Sequence, residues 1–252
     1  MARKGIAMKI ARCAAAFLAA LMLLTPAVYA VDAVPVENAN GVQTTTEERD
    51  WRLLLVNPWN KLPEGYDIEL KKLSNGLQVD ARVCDDLTAM LSDCRKAGLR
   101  PLVCSAYRTQ EKQTKLYNNK IARLRAAGYS REAAIREAGR WVAVPGTSEH
   151  QTGLAVDLVA SSYQILDQKQ EQTAEQKWLM EHCWEYGFIL RYPPDKSAVT
   201  GIGYEPWHYR YVGKETAKAM RDSGLCLEEY LEALKSHTTA QNEDQETAAA
   251  VS

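Results

Sequence analysis

The sequence predicts an α+β domain in which a mainly antiparallel sheet is flanked by helices. Short stretches with the strand period of two, such as 154–158 and 207–212, alternate with stretches that repeat at helical spacing, such as 81–97. The two kinds of stretch follow no regular strand–helix–strand rhythm, and the sequence contains no internal repeat. This mixture favours an antiparallel sheet over a parallel one built from βαβ units.

The composition is that of a globular protein. The chain has 252 residues, of which 46% are hydrophobic and 25% charged, and its formal net charge is −1. Four basic residues lie within the first 30, so the part that follows carries 27 basic and 32 acidic residues, a net charge of −5. No basic run occurs beyond residue 30, which argues against a nucleic-acid partner.

Residues 1–30 have the parts of a secretion signal. A basic start precedes an apolar run from Ala14 to Leu24, and Val28-Tyr29-Ala30 is a small-residue cleavage site. An uncleaved membrane anchor is the alternative, because residues 13–31 contain no charge. Both interpretations place the bulk of the protein outside the cytoplasm, either secreted or anchored to the outer face of the cytoplasmic membrane.

Composition divides the remainder into three parts. Residues 31–50 are polar and predict a flexible linker, whereas residues 51–235 form the folded domain. Residues 236–252 are polar again, and we expect this tail to be disordered. The domain is long enough to bury a sizeable core.

The helices and strands of the domain are predicted from the spacing of apolar residues and from the residues that mark their ends. Strands are expected at Leu53–Val56, Leu99–Cys104, Leu154–Leu158, Phe188–Tyr192 and Trp207–Val212. Helices are expected at Ala81–Ala97, Thr109–Ala127, Arg131–Trp141, Thr173–Tyr186, Lys214–Ser223 and Leu227–Leu234. Asp80 is placed to cap the first helix and Gly98 to end it. The alternation at 154–158 predicts a half-buried strand with Asp157 and Ala155 on one face.

Five cysteines follow the leader: Cys84, Cys94, Cys104, Cys183 and Cys226. Their spacings match no zinc-ribbon or CxxC pattern. Cys84 and Cys94 share one predicted helix, about 15 Å apart along its axis, which is too far for a disulfide. We interpret the set as small core residues with one disulfide and at least one free thiol, and the pairing stays open.

Two segments carry residue types that suit a zinc site. His150 and Asp157 lie within 148–157, and His208 ends the segment Glu205-Pro206-Trp207-His208. Catalytic zinc usually has three N or O side-chain ligands and leaves one position to water. Gly153 permits a tight turn between the first two candidates, and Glu205 is left beside the third to move protons.

Each part of this pattern is weak by itself. A single His or Asp is more often structural, and Glu-x-x-His is common by chance. The His-Glu-x-x-His helix of the commonest metalloproteases is absent. The combination of both segments in one domain is what favours metal binding.

The two segments resemble the motifs of the VanY-type D-alanyl-D-alanine carboxypeptidase family, a group of zinc peptidases that act on bacterial wall peptides. The motif residues are Ser148-x-His150-x-x-Gly153-x-Ala155-x-Asp157 and Glu205-x-Trp207-His208. The resemblance extends to Ser105-x-Tyr107-Arg108 with Gln113, to Gly187-Phe188 with Arg191-Tyr192-Pro193, and to 207–213, and it covers about residues 51–234. It implies a single zinc-peptidase domain with a Hedgehog/DD-peptidase-like fold.

The resemblance implies a role for the residues of the centre. His150, Asp157 and His208 would bind one Zn²⁺ ion, and Glu205 would be the catalytic base and acid that acts on a zinc-bound water. Arg108 would polarise the scissile carbonyl and stabilise the tetrahedral intermediate.

Three further residues match positions that hold the substrate in similar enzymes. Gln113, Ser148 and Tyr192 would contact its terminal D-residue. Trp207 is expected to pack behind the zinc ligands instead. These roles follow from the resemblance alone.

The implied activity is removal of the terminal D-alanine from peptidoglycan stem peptides. An L,D-carboxypeptidase that acts on tetrapeptide stems would use the same chemistry and stays an alternative. A non-catalytic wall-binding domain is the alternative from another class, although it would lack the base or the arginine, and both are present. We expect a monomer, with residues 13–31 as a membrane tether if the leader is retained.

Overall fold

The computed structural model describes residues 50–250 of the chain. The predicted leader (1–30), residues 31–49 of the predicted linker and the last two residues of the tail lie outside the described residues. Within the described part, no helix is both long and apolar enough to cross a membrane.

Residues 50–250 contain six strands and seven α-helices. The strands are β1 (Leu70–Lys72), β2 (Gln78–Asp80), β3 (Pro101–Ser105), β4 (Ala155–Ala160), β5 (Phe188–Leu190) and β6 (His208–Tyr211). The helices are α1 (Cys84–Lys96), α2 (Gln110–Ala126), α3 (Arg131–Gly139), α4 (Ala174–His182), α5 (Ser197–Thr200), α6 (Lys214–Ser223) and α7 (Leu227–Ala250). The six predicted helices are confirmed, whereas β1, β2 and α5 were not predicted.

The main sheet is antiparallel throughout, with the strand order β3-β4-β6-β5. Strands β1 and β2 form a separate antiparallel pair. In the main sheet, Asp157 of β4 lies directly opposite His208 of β6 on one side and Ser105 of β3 on the other. The predicted α+β class is confirmed, and the register alone brings two predicted metal ligands side by side.

Strand β4 is buried on both faces, which corrects the prediction of a half-buried strand. Val156 and Leu158 belong to the same buried hydrophobic core as Leu87 of α1. The opposite face carries Ala155 and Asp157, which are also buried because other parts of the candidate site cover them. Side chains of β4 alternate between two faces as predicted, but the face with Ala155 and Asp157 belongs to the candidate site and does not face solvent.

Helix α1 forms the other wall of this core through Leu87, Met90 and Leu91, all of them buried. The side chain of Asp80 caps the short 3-10 turn that precedes the helix, as predicted, and accepts a hydrogen bond from a backbone N–H at 2.9 Å. Burial of a leucine or methionine side chain stabilises the fold by about 1.5–3 kcal/mol. Helix α1 therefore packs on one face of the main sheet, and the candidate site lies on the opposite face.

The segment Leu53–Val56 is not a strand, contrary to the prediction. Residues Trp51–Leu53 form a 3-10 turn. The carbonyl oxygens of Arg52 and Leu54 accept hydrogen bonds from the guanidinium of Arg210 at 3.0 and 2.8 Å. The apolar run suggested a strand, but a buried arginine takes the backbone acceptors that a neighbouring strand would need.

The last helix is longer than predicted. Helix α7 continues from Leu227 to Ala250 instead of ending near Leu234, so the expected disordered tail is helical as far as residue 250. No Gly or Pro follows Gly224, and the added stretch is rich in Ala, Glu and Gln, which have high helix propensity.

All five cysteines after residue 50 are free. Cys84, Cys94, Cys183 and Cys226 are buried, whereas Cys104 on the edge strand β3 is exposed. The expectation of one disulfide is therefore wrong. The buried thiols act as small core residues, and burial raises the pKa of Cys183 to about 12.

Gly153 closes the turn that leads into β4 with a left-handed backbone. Its φ is 74°, and a Cβ there would lie 2.8 Å from the backbone nitrogen of Asp80 and 2.9 Å from Cδ1 of Ile68. Gly76 has a similar φ of 83°, but a Cβ there would meet no atom within 4 Å. The two glycines therefore separate backbone strain from steric overlap.

We expect Gly76→Ala to lower the free energy of unfolding by about 1–2 kcal/mol, because only the left-handed backbone is strained. Gly153→Ala should lower it by about 1–3 kcal/mol more, because its Cβ also pushes against β2. Urea denaturation of both variants measures the difference. Equal losses would show that β2 moves aside without cost.

Candidate metal centre

The structure brings the three predicted metal ligands together. His150 lies in a 3-10 turn (Glu149–Thr152) that Gly153 ends, Asp157 lies on β4, and His208 begins β6. One ligand atom from each lies within 4.8 Å of the other two. All three residues are buried, so the centre is enclosed by protein.

The hydrogen bonds of the two imidazoles indicate which nitrogen of each faces the centre. Nδ1 of His150 lies 2.8 Å from the carbonyl oxygen of Ala106 and donates to it, which leaves Nε2 towards Asp157 at 3.3 Å. His208 has the opposite orientation, with Nδ1 3.1 Å from Oδ1 of Asp157 and Nε2 3.4 Å from Oε2 of Glu149. Two imidazole nitrogens and one carboxylate oxygen therefore converge, which is a donor set that suits zinc.

The surroundings of His150 and His208 shift the pKa values of the two imidazoles in opposite directions. Burial, together with the positive charge of Arg108, lowers the pKa of His150 to about 4, so this imidazole is neutral and ready to ligate at neutral pH. Burial acts to lower the pKa of His208 as well, but hydrogen bonds to Asp157 and Glu149 outweigh it and raise the pKa to about 9. A metal ion that binds Nδ1 of His208 would have to displace a proton from this imidazole.

Glu205 lies beside the centre. Its Oε2 is 3.8 Å from Nδ1 of His208, and the backbone N–H of His208 donates to the Glu205 carbonyl oxygen at 3.2 Å. Its own N–H donates to the carbonyl oxygen of Tyr192 at 3.1 Å, which fixes the turn. Burial raises the pKa of Glu205 to about 8, so this carboxyl can both take up and release a proton near neutral pH.

Arg108 occupies the other side of Asp157. Its NH2 donates to Oδ2 of Asp157 at 2.7 Å, and its Nε donates to Oγ of Ser105 at 2.9 Å. Ser105 lies at an irregularity in the pairing of β3 with β4. The two oxygens of Asp157 are thus divided: Oδ1 faces the histidines, and Oδ2 is held by the arginine.

Two of the three residues predicted to bind substrate, Gln113 and Tyr192, lie against Arg108 and His208. Gln113 of α2 is buried, and its Oε1 lies 3.4 Å from NH1 of Arg108. Tyr192 is buried too, with its ring centroid 4.7 Å from that of His208. Ser148 is buried two residues before His150. Trp207 is 6% exposed and is therefore packed, as predicted.

Sequence reasoning missed one buried acid, Glu149. Its Oε1 accepts hydrogen bonds from Arg191 at 2.7 Å and Arg210 at 2.8 Å, while its Oε2 faces His208. Burial by itself raises a carboxyl pKa, but the charges of Arg191 and Arg210 outweigh it and hold the pKa of Glu149 below its ordinary value. The available signal is the alternation along β6, which places Arg210 on the same strand face as His208.

An α+β fold that holds two histidines, one aspartate and an adjacent buried glutamate defines a zinc peptidase. The family model of VanY, D-alanyl-D-alanine carboxypeptidase, matches residues 76–214, which is more than half of the chain. The protein belongs to this family.

Individual relatives and solved structures lead to the same family assignment. The D-alanyl-D-alanine carboxypeptidase of Enterococcus faecalis (strain ATCC 700802 / V583) is 48% identical over 185 residues, which are 73% of this chain and 67% of that protein. The crystal structure of a mutant vancomycin-resistance D,D-pentapeptidase VanY from a VanB-type cassette, in complex with Zn(II), has 47% identity and a TM-score of 0.67, covering 72% of this chain and 99% of that one. The LD-carboxypeptidase LdcB has 36% identity and a TM-score of 0.59, covering 71% of this chain and 84% of that one. The cofactor of this chain is therefore zinc, as the donor set indicates.

Proposed function

We propose that this protein is an extracytoplasmic zinc D,D-carboxypeptidase that removes the terminal D-alanine from peptidoglycan stem peptides. The observation that carries the proposal is the buried triad His150, Asp157 and His208 with Glu205 directly beside it. The 48% identity to a D-alanyl-D-alanine carboxypeptidase supports the choice of substrate.

The three ligands would hold one zinc ion. When bound, it supplies a Lewis acid that polarises the scissile carbonyl and makes water a better nucleophile at neutral pH. Glu205 would take the proton of the attacking water and pass it to the nitrogen of the departing D-alanine. Its enclosed position keeps bulk water from taking the proton instead.

Arg108 would stabilise the negative charge that develops on the substrate carbonyl oxygen. A guanidinium already fixed by Asp157 and Ser105 needs no reorganisation when that charge appears, which is the condition for a large electrostatic effect. Gln113, Ser148 and Tyr192 would hold the terminal D-residue, and capture of its carboxylate would make the enzyme an exopeptidase.

The predicted leader supports an extracytoplasmic location for the reaction. A secretion signal at 1–30, or an anchor through residues 13–31, would place the domain outside the cytoplasm, where peptidoglycan stems are exposed. The polar residues 31–50 would then separate the domain from the membrane.

Specificity for the penultimate residue is the main alternative. An L,D-carboxypeptidase would act on tetrapeptide stems with the same chemistry, and the likeness to LdcB keeps this second candidate open. The 48% identity to the D-alanyl-D-alanine carboxypeptidase of Enterococcus faecalis exceeds the 36% identity to LdcB, which favours pentapeptide stems.

Mass spectrometry of pentapeptide and tetrapeptide stems incubated with the purified zinc-loaded protein tests the proposal. We expect loss of one D-alanine from the pentapeptide and little change in the tetrapeptide. Cleavage of the tetrapeptide alone would change the assignment to L,D-carboxypeptidase. Zinc binding without cleavage of either peptide would support a wall-binding domain instead.

A further inference from the structure

A buried row of charged groups runs from the metal centre to α7. Nε2 of His208 lies 3.4 Å from Glu149, and Glu149 accepts hydrogen bonds from Arg191 and Arg210. Arg191 also donates to both carboxylate oxygens of Glu228, at 2.8 and 2.6 Å. The side chains of Glu149, Arg191 and Arg210 are 0% exposed, and that of Glu228 is 11% exposed.

Both arginines are held by elements remote from the ligands in sequence. Glu228 lies in the first turn of α7, and Arg210 donates to the backbone carbonyl of Arg52 near the start of the domain. If Glu149 turned away from His208, two buried guanidinium groups would lose a charge partner, which is strongly unfavourable. The row therefore holds one carboxylate oxygen of Glu149 close to Nε2 of His208, the ring nitrogen that points away from the metal centre.

We propose that Glu149 is a positioning residue for the zinc ligand His208, and that the Arg191–Glu228 pair makes the first turn of α7 part of the same support. A carboxylate that accepts the outer N–H of a ligating imidazole fixes its tautomer and ring orientation and increases its basicity. In His208 the outer nitrogen is Nε2, because Nδ1 faces Asp157.

The inference rests on the proposed zinc site, but it concerns metal affinity and not peptide hydrolysis. A purely structural role for the row is the competing explanation, since buried ion networks also hold elements together. The two differ in what a conservative change does to zinc binding in a protein that remains folded.

Competition with a chromophoric chelator measures the zinc affinity of the full chain and its variants. We expect Glu149→Gln to weaken zinc binding about 10–100-fold, because the amide keeps the shape of the side chain but loses its charge. The visible spectrum of the Co²⁺-substituted protein should change as well, because the donor strength of His208 changes. A loss of stability alone leaves that spectrum unaltered.

Two neighbouring glutamates of α7 provide a matched pair. Glu228 binds Arg191, whereas Glu229 binds Lys196 at 2.8 Å in a partly exposed ion pair. We expect Glu228→Gln to weaken zinc binding by about 10-fold or less, since it acts through Arg191. Glu229→Gln removes the same charge from the same turn and should leave zinc binding unchanged.

Unchanged zinc affinity and Co²⁺ spectrum in Glu149→Gln would overturn the inference, as would equal effects of the Glu228 and Glu229 variants. If the wild-type chain binds no zinc, the proposed function fails with it. If the wild type binds zinc and all variants match it, only this inference fails. Circular dichroism verifies folding, and Glu228→Gln decides the question if Glu149→Gln does not fold.

Discussion

Replacement of Glu205 by glutamine is expected to reduce D-alanine release by about 10²–10⁴-fold while zinc remains bound. Glutamine has nearly the same shape as glutamate, so the turn that joins residue 205 to His208 should persist. It cannot accept a proton from the attacking water, and it has none to return to the leaving nitrogen. The loss should therefore appear in kcat, with KM little changed.

Single-turnover and steady-state release of D-alanine, measured together with zinc stoichiometry, checks this result. Glu181→Gln is a suitable control, because Glu181 is an exposed glutamate of α4 whose side chain is 76% exposed. Retention of most of the activity in Glu205→Gln would assign the base to another group. Loss of zinc from the variant would mean that Glu205 is a ligand.

Replacement of Arg108 by lysine is expected to lower kcat/KM by about 10²–10³-fold, although the positive charge remains. The guanidinium reaches Asp157 with one nitrogen and Ser105 with another, and a lysine has a single nitrogen. It cannot keep both contacts and also face the substrate carbonyl. We therefore expect the pocket to lose its aimed donor.

Zinc affinity separates the two roles that the contacts of Arg108 allow. A fall in kcat/KM with zinc affinity intact would support stabilisation of the developing oxyanion, whereas weaker zinc binding would identify Arg108 chiefly as a support for Asp157. Arg123→Lys, on the exposed face of α2, is the matched control. An unchanged kcat/KM in Arg108→Lys would contradict both roles.

Much of the fold was predictable because its signals are local. Asp80 caps the turn before α1, as predicted, and Gly98, with a φ of 85°, follows the end of that helix, also as predicted. The metal ligands were predictable for a related reason, since two of them lie seven positions apart in one segment. The third, His208, lies 51 positions beyond Asp157, and the combination of the two segments was needed to predict it.

The errors share a physical cause, which is that partners distant in sequence decided the outcome. Leu53–Val56 was predicted to be a strand, but Arg210 donates to the carbonyl oxygens of Arg52 and Leu54. Glu149 read as one polar residue in a motif, and only the folded chain places Arg191 and Arg210 on it. A buried charge network is invisible to periodicity, because its members are far apart along the chain and meet only when it folds.

The metal centre is assembled from pieces spread over most of the domain, from Ala106, which accepts a hydrogen bond from His150, to Glu228 on the last helix. Among the described residues, no short segment contains a complete set of ligands. A zinc finger can fold around its ion, but a partly folded form of this chain has no pocket in which the ion could start that process. We therefore expect folding to come first and metal acquisition last, so that the rate of zinc uptake depends on the concentration of fully folded protein.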